Sequence, residues 1–233
     1  MTAPERDTNA RQTARILMEI GAILFSPDDP FTLTSGRKSP VYVDCRRLIS
    51  YPRARRRIMT LARDAIQATA GFESLDVVAG GETAGIPFAA WIAEGMSLPM
   101  VYIRKKPKGF GRNARIEGHL PEGARALLVE DLATDGGSKV SFIDGLREAD
   151  AEVKHTFVIF HYGIFPESEQ TLADRGVTLT ALATWWDALA EAESTGYLTE
   201  EACVTVRAFL TDPVAWQVAQ ATATNGNERL QGR

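Results

Sequence analysis

Short apolar runs alternate with segments of helical periodicity through the middle of the chain. In chain order these are strand 76–79, helix 86–95, strand 100–103, strand 126–129, helix 137–149 and strand 156–160. Such alternation is typical of an α/β fold, in which helices cover a mainly parallel sheet. Ligands in these folds bind beyond the carboxyl ends of the strands. We therefore expect a functional site in the loops that follow these strands.

The flanking regions give weaker signals. Thr8 or Asn9 is a suitable cap for a first helix that runs to about Ile20. Val41–Val43 is a short strand signal, and Pro52 begins a segment with apolar residues at helical spacing. We expect a disordered start (1–8), a main domain (9–165), a helical C-terminal extension packed on that domain (166–220) and a flexible tail (221–233).

Composition places the chain among globular proteins. Apolar residues make up 45% and charged residues 24% of its 233 residues, which excludes a disordered or collagen-like chain. Its two cysteines lie far apart, and its three histidines lack zinc-ligand spacing. The N-terminus is polar, and no apolar stretch is long enough to cross a bilayer. We expect a cytoplasmic protein with no membrane partner.

Positive charge is concentrated in one segment. The net charge is −4, yet residues 104–115 contain six basic residues and no acid. The six are Arg104, Lys105, Lys106, Lys108, Arg112 and Arg115. A nucleic-acid partner usually requires a broader basic face, so this focus indicates a small anionic ligand.

The most informative segment is 127–139, where an apolar strand ends in Glu130 and Asp131 and is followed by a loop rich in glycine and hydroxyl groups. Glycine lets the backbone approach a ligand closely, and a helix start attracts phosphate. The pattern is neither a nucleotide P-loop nor a dinucleotide fingerprint. Carboxylates repel phosphate but accept hydrogen bonds from hydroxyls. A sugar phosphate therefore suits the segment, with its hydroxyls at the two acids and its phosphate at the glycine-rich loop. The alternative is a helix start capped by Thr134 or Asp135.

This segment resembles the phosphoribosyl-pyrophosphate signature of the type I phosphoribosyltransferases, with its strand, two acids, two variable residues, threonine and glycine-rich turn. Segment 31–44 is similar to the N-terminal segment of the orotate phosphoribosyltransferases, which covers the base. Segment 104–118 is similar to the mobile catalytic loop of that family. Their order and spacing agree with the family from about residue 15 to residue 165. The resemblance implies a type I phosphoribosyltransferase fold with a small N-terminal hood.

The same resemblance implies a reaction and its participants. Orotate displaces pyrophosphate from phosphoribosyl pyrophosphate and gives orotidine 5′-monophosphate, with Mg²⁺ on the substrate oxygens and no protein-held metal. The family works as a homodimer in which the basic loop reaches the neighbouring site. The implied alternatives are a phosphoribosyltransferase for another nucleobase and a non-catalytic regulator that binds phosphoribosyl pyrophosphate.

Site residues follow from the matched positions. Arg104, Lys105 and Lys108 are expected to neutralise the leaving pyrophosphate, and Glu130 and Asp131 to hold the ribose hydroxyls. The substrate-binding loop is expected to comprise Leu132, Ala133, Thr134, Asp135, Gly136, Gly137 and Ser138. Tyr42 matches an aromatic beside the base. Lys106, Arg112 and Arg115 are expected to be solvated.

The sequence also departs from the commoner family pattern. Thr34 and Phe110 replace a lysine and a histidine, and loop 80–85 contains no lysine. His161 and Tyr162 stand where the family has an Asp-Arg pair, whose arginine meets the orotate carboxylate. That carboxylate therefore has no assigned partner, and Arg37 and Lys38 are candidates.

Overall fold

The computed structural model describes residues 2–33, 35–109, 115–134 and 137–220, with the backbone alone at residues 137, 138 and 166. Its helices are α1 (Ala3–Glu19), α2 (Pro52–Ala70), α3 (Gly85–Met96), α4 (Gly137–Glu148), α5 (Pro166–Ala173), α6 (Trp185–Thr195) and α7 (Glu200–Thr211). Its strands are β1 (Ile23–Phe25), β2 (Phe31–Thr32), β3 (Lys38–Ser39), β4 (Val41–Val43), β5 (Val77–Gly81), β6 (Met100–Ile103), β7 (Ile116–Glu117), β8 (Arg125–Ala133), β9 (Glu152–His161) and β10 (Thr178–Thr184). Cys45–Ser50 forms a 3₁₀ helix, and residues 213–220 are helical as well.

Six strands form the central sheet, in the order β10-β9-β8-β5-β6-β7. All neighbours are parallel except β7, which runs antiparallel to β6. The carboxyl ends of β5, β6, β8, β9 and β10 therefore meet at one edge. The α/β architecture expected from the alternation is confirmed.

Both faces of the sheet are buried, as a parallel sheet requires. Along β8, Leu127 and Val129 enter the core that α2, α3 and α6 cover. Ala126 and Leu128 enter a second core on the opposite face, which α4 covers. This double burial explains why the strand is continuously apolar until it reaches the acids at its end.

Helix α3 begins in direct contact with the sheet. A Cβ atom built on Gly85 would lie 2.2 Å from the backbone oxygen of Val129. Only a residue without a side chain allows this approach. Gly85 thereby brings the start of α3 against β8, beside the strand's acidic end.

The N-terminal hood consists of two small antiparallel pairs, β1 with β4 and β2 with β3. The backbone N–H of Asp44 donates to the oxygen of Ala22, 2.8 Å away, and so ties the end of β4 to the start of β1. The strand predicted at Val41–Val43 and the helix predicted from Pro52 are both confirmed.

Two expectations about the ends of the domain are wrong. Residues 3–8 are the first turns of α1, which Thr2 caps by pairing with Glu5 in a capping box. Residues 166–220 are not wholly helical, because β10 adds a parallel strand to the central sheet beside β9. The sheet thus continues to Thr184, past the boundary expected at residue 165. The expected flexible tail, 221–233, lies outside the described residues.

Candidate active site

A cavity of about 970 Å³ lies at the carboxyl edge of the sheet, between the hood and the C-terminal helices. The hood contributes Leu33, Ser35, Arg37, Ser39, Tyr42, Val43, Asp44 and Arg46; the sheet edge contributes Ala84, Asp131, Leu132, Thr134 and Tyr162; the C-terminal part contributes Phe165, Glu167, Phe209, Pro213, Val214 and Gln217. The cavity therefore lies where the parallel topology predicts a ligand.

The two acids of the signature have different surroundings. Glu130 is buried, and the ammonium group of Lys139 lies 2.8 Å from its Oε2 atom. Lys139 is fully enclosed and also donates to the backbone oxygen of Leu132 at 2.6 Å. Among the two acids, Asp131 lines the cavity and Glu130 does not. The structure thus presents one carboxylate to a ligand and pairs the other internally.

The surroundings of Asp131 disfavour the ionised form of its carboxyl group. Burial raises the pKa of the Asp131 carboxyl, and the adjacent charge of Glu130 raises it further. Lys139 and Arg46 act in the opposite direction and favour the ionised form. A carboxylate in such surroundings accepts hydrogen bonds strongly, because little water competes for it.

Sequence reasoning missed Lys139. Lys139 follows Ser138, whereas a nucleotide P-loop has its lysine before the hydroxyl residue. A basic residue in the first turn of a helix that follows an acid-tipped strand is a usable signal. The helix start folds back onto the strand end and brings the two charges together.

The loop that follows β8 is described in part. Thr134 follows β8 and lines the cavity, while Ala133 is buried and pairs with His161 of the next strand. Asp135 and Gly136 lie outside the described residues. Gly137 begins α4, so the first N–H groups of that helix, at Gly137 and Ser138, lie at the same edge of the sheet.

The basic loop starts at the end of β6. Arg104 is half-buried, and its Nη1 atom lies 3.5 Å from Oε1 of Glu117. The backbone N–H of Lys105 donates to Oε2 of Glu82 at 2.8 Å. The side chains of Lys105 and Lys108 are exposed, and none of these three cations lines the cavity.

The solvated role expected for Arg115 is wrong. Its guanidinium donates to the backbone oxygens of Arg104 and Ser141, each 2.9 Å away, and lies over the ring of Phe142. Arg115 therefore anchors the end of the basic loop on α4. Lys106 is exposed, as expected, and Arg112 lies outside the described residues.

The hood supplies an aromatic wall and two cations. Tyr42 lines the cavity and packs against Phe31, with ring centroids 5.8 Å apart. Arg37 follows the tip of the β2–β3 hairpin and is exposed at the cavity. Arg46 also lines the cavity, and sequence reasoning did not single it out.

His161 and Tyr162, which stand in place of the expected Asp-Arg pair, have different surroundings. His161 is buried, with Nε2 2.9 Å from the hydroxyl of Ser168, and burial lowers the pKa of its imidazole. Tyr162 lines the cavity, and burial raises the pKa of its phenol to about 12. The cavity therefore meets a neutral phenol at the position where the resemblance implied an arginine.

Comparison with known proteins agrees with this geometry. The family model for the phosphoribosyl transferase domain matches residues 48–189. Orotate phosphoribosyltransferase of Ruegeria sp. (strain TM1040) is 57% identical over 93% of this chain and 96% of that relative. The chain belongs to the orotate phosphoribosyltransferase family. A more distant member, from Dinoroseobacter shibae, is 54% identical over the same shares of both chains.

Solved structures extend the agreement to the fold. Orotate phosphoribosyltransferase from Aeropyrum pernix superposes with a TM-score of 0.67 at 32% identity, over 80% of this chain and 99% of that one. UMP synthase of Leishmania donovani gives 0.71 at 28% identity, over 86% of this chain and 42% of that longer one. The type I phosphoribosyltransferase fold expected from the resemblance is confirmed.

Proposed function

We propose that the chain transfers the phosphoribosyl group of phosphoribosyl pyrophosphate to orotate, giving orotidine 5′-monophosphate and pyrophosphate in pyrimidine synthesis. One observation carries the proposal. A single cavity combines Asp131, the Thr134 loop leading to the start of α4, and the Tyr42 wall of the hood. These are the partners that a ribose, a 5-phosphate and a planar base respectively require.

The reaction makes a bond from the base nitrogen to the anomeric carbon and breaks the bond from that carbon to pyrophosphate. Positive charge grows on the ribose ring as the polyanion departs. Asp131 is placed to accept hydrogen bonds from ribose hydroxyls and to stabilise that charge. Lys139 neutralises Glu130, so the second acid does not add a further negative charge to the phosphate site.

Magnesium fits this site as a partner of the substrate. Among the described residues no group of three or more histidine, cysteine or acidic side chains could hold a metal ion. We propose that Mg²⁺ would arrive with the substrate and that Asp131, which lines the cavity, would lie on the protein side of the ion. When bound there, it supplies positive charge to the leaving group.

We propose that the enzyme is a homodimer whose basic loops cross between subunits. Lys105 and Lys108 are exposed and do not line the cavity of their own subunit, which supports this arrangement. A leaving pyrophosphate needs cations, and the lining cations among the described residues, Arg37 and Arg46, belong to the hood. A loop from the partner would complete the site and exclude water when it closes.

Within the ranges that the structure describes, each helix is too short or too polar to cross a bilayer. The cytoplasmic location expected from the sequence stays a prediction.

Loss of orotate absorbance in the presence of phosphoribosyl pyrophosphate and Mg²⁺ tests the proposal. Turnover that needs all three components is the expected result. Turnover of adenine, guanine or uracil but not orotate would assign another nucleobase. Binding of phosphoribosyl pyrophosphate without turnover of any base would indicate the regulator.

A further inference from the structure

The proposed reaction leaves one group of the substrate without a partner. Orotate has a carboxylate that is ionised at neutral pH, and transferring a carboxylate out of water is costly unless a cation hydrogen-bonds to it. Tyr162 occupies the position where the family has an arginine. The lining cations among the described residues are Arg37 and Arg46.

Hydrogen bonds to Asp44 orient the side chain of Arg46. It lies in the first turn of the 3₁₀ helix that follows the hood. Its Nε atom donates to Oδ1 of Asp44 at 2.6 Å, and its Nη2 atom donates to Oδ2 at 3.0 Å. Asp44 also accepts from the backbone N–H of Arg46 at 3.1 Å. The guanidinium is thus oriented by a carboxylate that is itself fixed at the cap of the helix.

One edge of this guanidinium remains available. Arginine has five N–H donors in a planar fork, and the pair with Asp44 uses the edge formed by Nε and Nη2. Within the described part of the chain, Nη1 of Arg46 has no hydrogen-bond partner, and 60% of the side chain is exposed. The edge formed by Nη1 and Nη2 suits a second carboxylate bound through two parallel hydrogen bonds.

Arg37 is less well organised for this task. It follows a hairpin turn at Gly36, whose φ is 78°, and its side chain is exposed. Within the described ranges no side-chain partner orients it. Binding a carboxylate there would require ordering a long side chain, which opposes affinity. Arg46 has already lost that freedom to Asp44.

We propose that Arg46 binds the carboxylate of the base and thereby selects orotate over bases that lack this group. The inference rests on the function proposed above. Asp44 is then a positioning residue, which holds the arginine in the required orientation. Asp131 lies close enough to interact electrostatically with Arg46, so the base and ribose compartments adjoin.

Paired ligands isolate the contribution of the carboxylate. Orotidine 5′-monophosphate and uridine 5′-monophosphate differ only in that group, so the ratio of their dissociation constants reports its recognition. We would measure this ratio by calorimetry for the wild type, Arg46→Gln, Arg46→Lys and the matched control Arg37→Gln. Wild-type protein should prefer orotidine 5′-monophosphate by at least about tenfold, as expected for hydrogen bonds to a charged group. Arg46→Gln should abolish that preference while uridine 5′-monophosphate binds within about twofold of wild type, and Arg37→Gln should retain it.

The Arg46→Lys variant keeps the positive charge but lacks the planar guanidinium, so it tests whether the geometry of the arginine is required. Arg46→Lys should fold with wild-type thermal stability and lose most of the preference, because an ammonium cannot pair with Asp44 and bind a ligand carboxylate edge-on. In steady state, Arg46→Gln should raise KM for orotate at least about tenfold and leave KM for phosphoribosyl pyrophosphate within about twofold.

Three outcomes would overturn the inference: an unchanged ratio in Arg46→Gln, loss of the ratio in Arg37→Gln but not in Arg46→Gln, or no preference in the wild type. The orotate assay separates this failure from that of the proposed function. If wild-type protein turns orotate over, only the role of Arg46 falls. If it does not, the proposed function falls as well.

Discussion

The ammonium group of Lys139 lies 2.8 Å from Oε2 of Glu130, and both residues are buried beneath the candidate phosphate loop. Breaking a buried ion pair by removing one partner leaves an uncompensated charge. We therefore expect Lys139→Met to lower the free energy of unfolding by about 3–5 kcal/mol.

The double variant Lys139→Met with Glu130→Gln is the matched control. Removing both charges should recover most of the lost stability, as measured by urea denaturation at pH 7. A single variant as stable as wild type would show that the pair is weak. A double variant as unstable as the single would show that packing, not charge, is responsible.

Asp131→Asn should separate activity from stability. In the folded protein the pKa of Asp131 is raised, first by burial and then by Glu130. As pH rises from the unfolded value of about 4, the unfolded chain releases its proton before the folded chain does. This carboxyl therefore lowers stability as pH increases through the window between the two pKa values, and the penalty persists above it.

We accordingly expect the Asn variant to be more stable than wild type at pH 7 and equal to it below about pH 4. Its kcat/KM should fall on the order of a hundredfold, because a ribose partner is lost. Asp28→Asn, at an exposed residue outside the cavity lining, should change neither quantity. An Asp131→Asn variant less stable than wild type at pH 7 would contradict the conclusion that the ionised Asp131 carboxylate destabilises the fold.

Lys108→Ala should reduce turnover without affecting the fold. The side chain is exposed, so its removal should leave the stability of the domain unchanged. Loss of a cation on the leaving pyrophosphate should lower kcat on the order of a hundredfold. Lys106→Ala, at an exposed neighbour, is the matched control and should retain wild-type turnover. Equal losses in the two variants, or a lowered melting temperature in Lys108→Ala, would count against the role.

Mixing inactive variants tests whether loops cross between subunits. A Lys105→Ala and Lys108→Ala double variant lacks two cations of the basic loop, whereas Asp131→Asn lacks the carboxylate that holds the ribose. Random exchange between dimers should create one intact site in half of the molecules and recover about a quarter of wild-type activity. If each loop served its own subunit, mixing would recover nothing.

Gly85→Ala should damage the contact between α3 and β8. The added Cβ would lie 2.2 Å from the backbone oxygen of Val129, and backbone cannot move aside cheaply. We expect a loss of at least about 3 kcal/mol in the free energy of unfolding. At Gly176 φ is 66°, but no atom lies within 4 Å of an added Cβ. Gly176→Ala should therefore lower the free energy of unfolding by only about 1–2 kcal/mol. Similar losses at the two positions would refute close packing at Gly85.

Much of the fold was predictable because local pattern and topology agree. The alternation of apolar runs and helical segments located β5, β6, β8 and β9, although β8 extends to Ala133 rather than ending at Val129. The acids at its end look like loop residues in sequence, yet the neighbouring strands continue their hydrogen bonding. Strand β10 was missed because its small residues and threonines give little apolar contrast.

The site was predictable only where a contiguous motif carries it. Asp131, Thr134 and Tyr42 lie in such motifs, and the structure gathers them into one cavity. Lys139 and Arg46 were not assigned, because their roles depend on contacts that form only when the helix start folds onto β8 and the hood packs beside it. A basic side chain in either place is also consistent with an exposed helix face.

A crystal structure of the protein with phosphoribosyl pyrophosphate and Mg²⁺ tests the central claim most directly. We expect ribose hydroxyls within hydrogen-bond distance of Asp131 and the 5-phosphate at the start of α4, between the hood and the sheet edge. Clear density for the sugar phosphate at any other place on the molecule would contradict that claim.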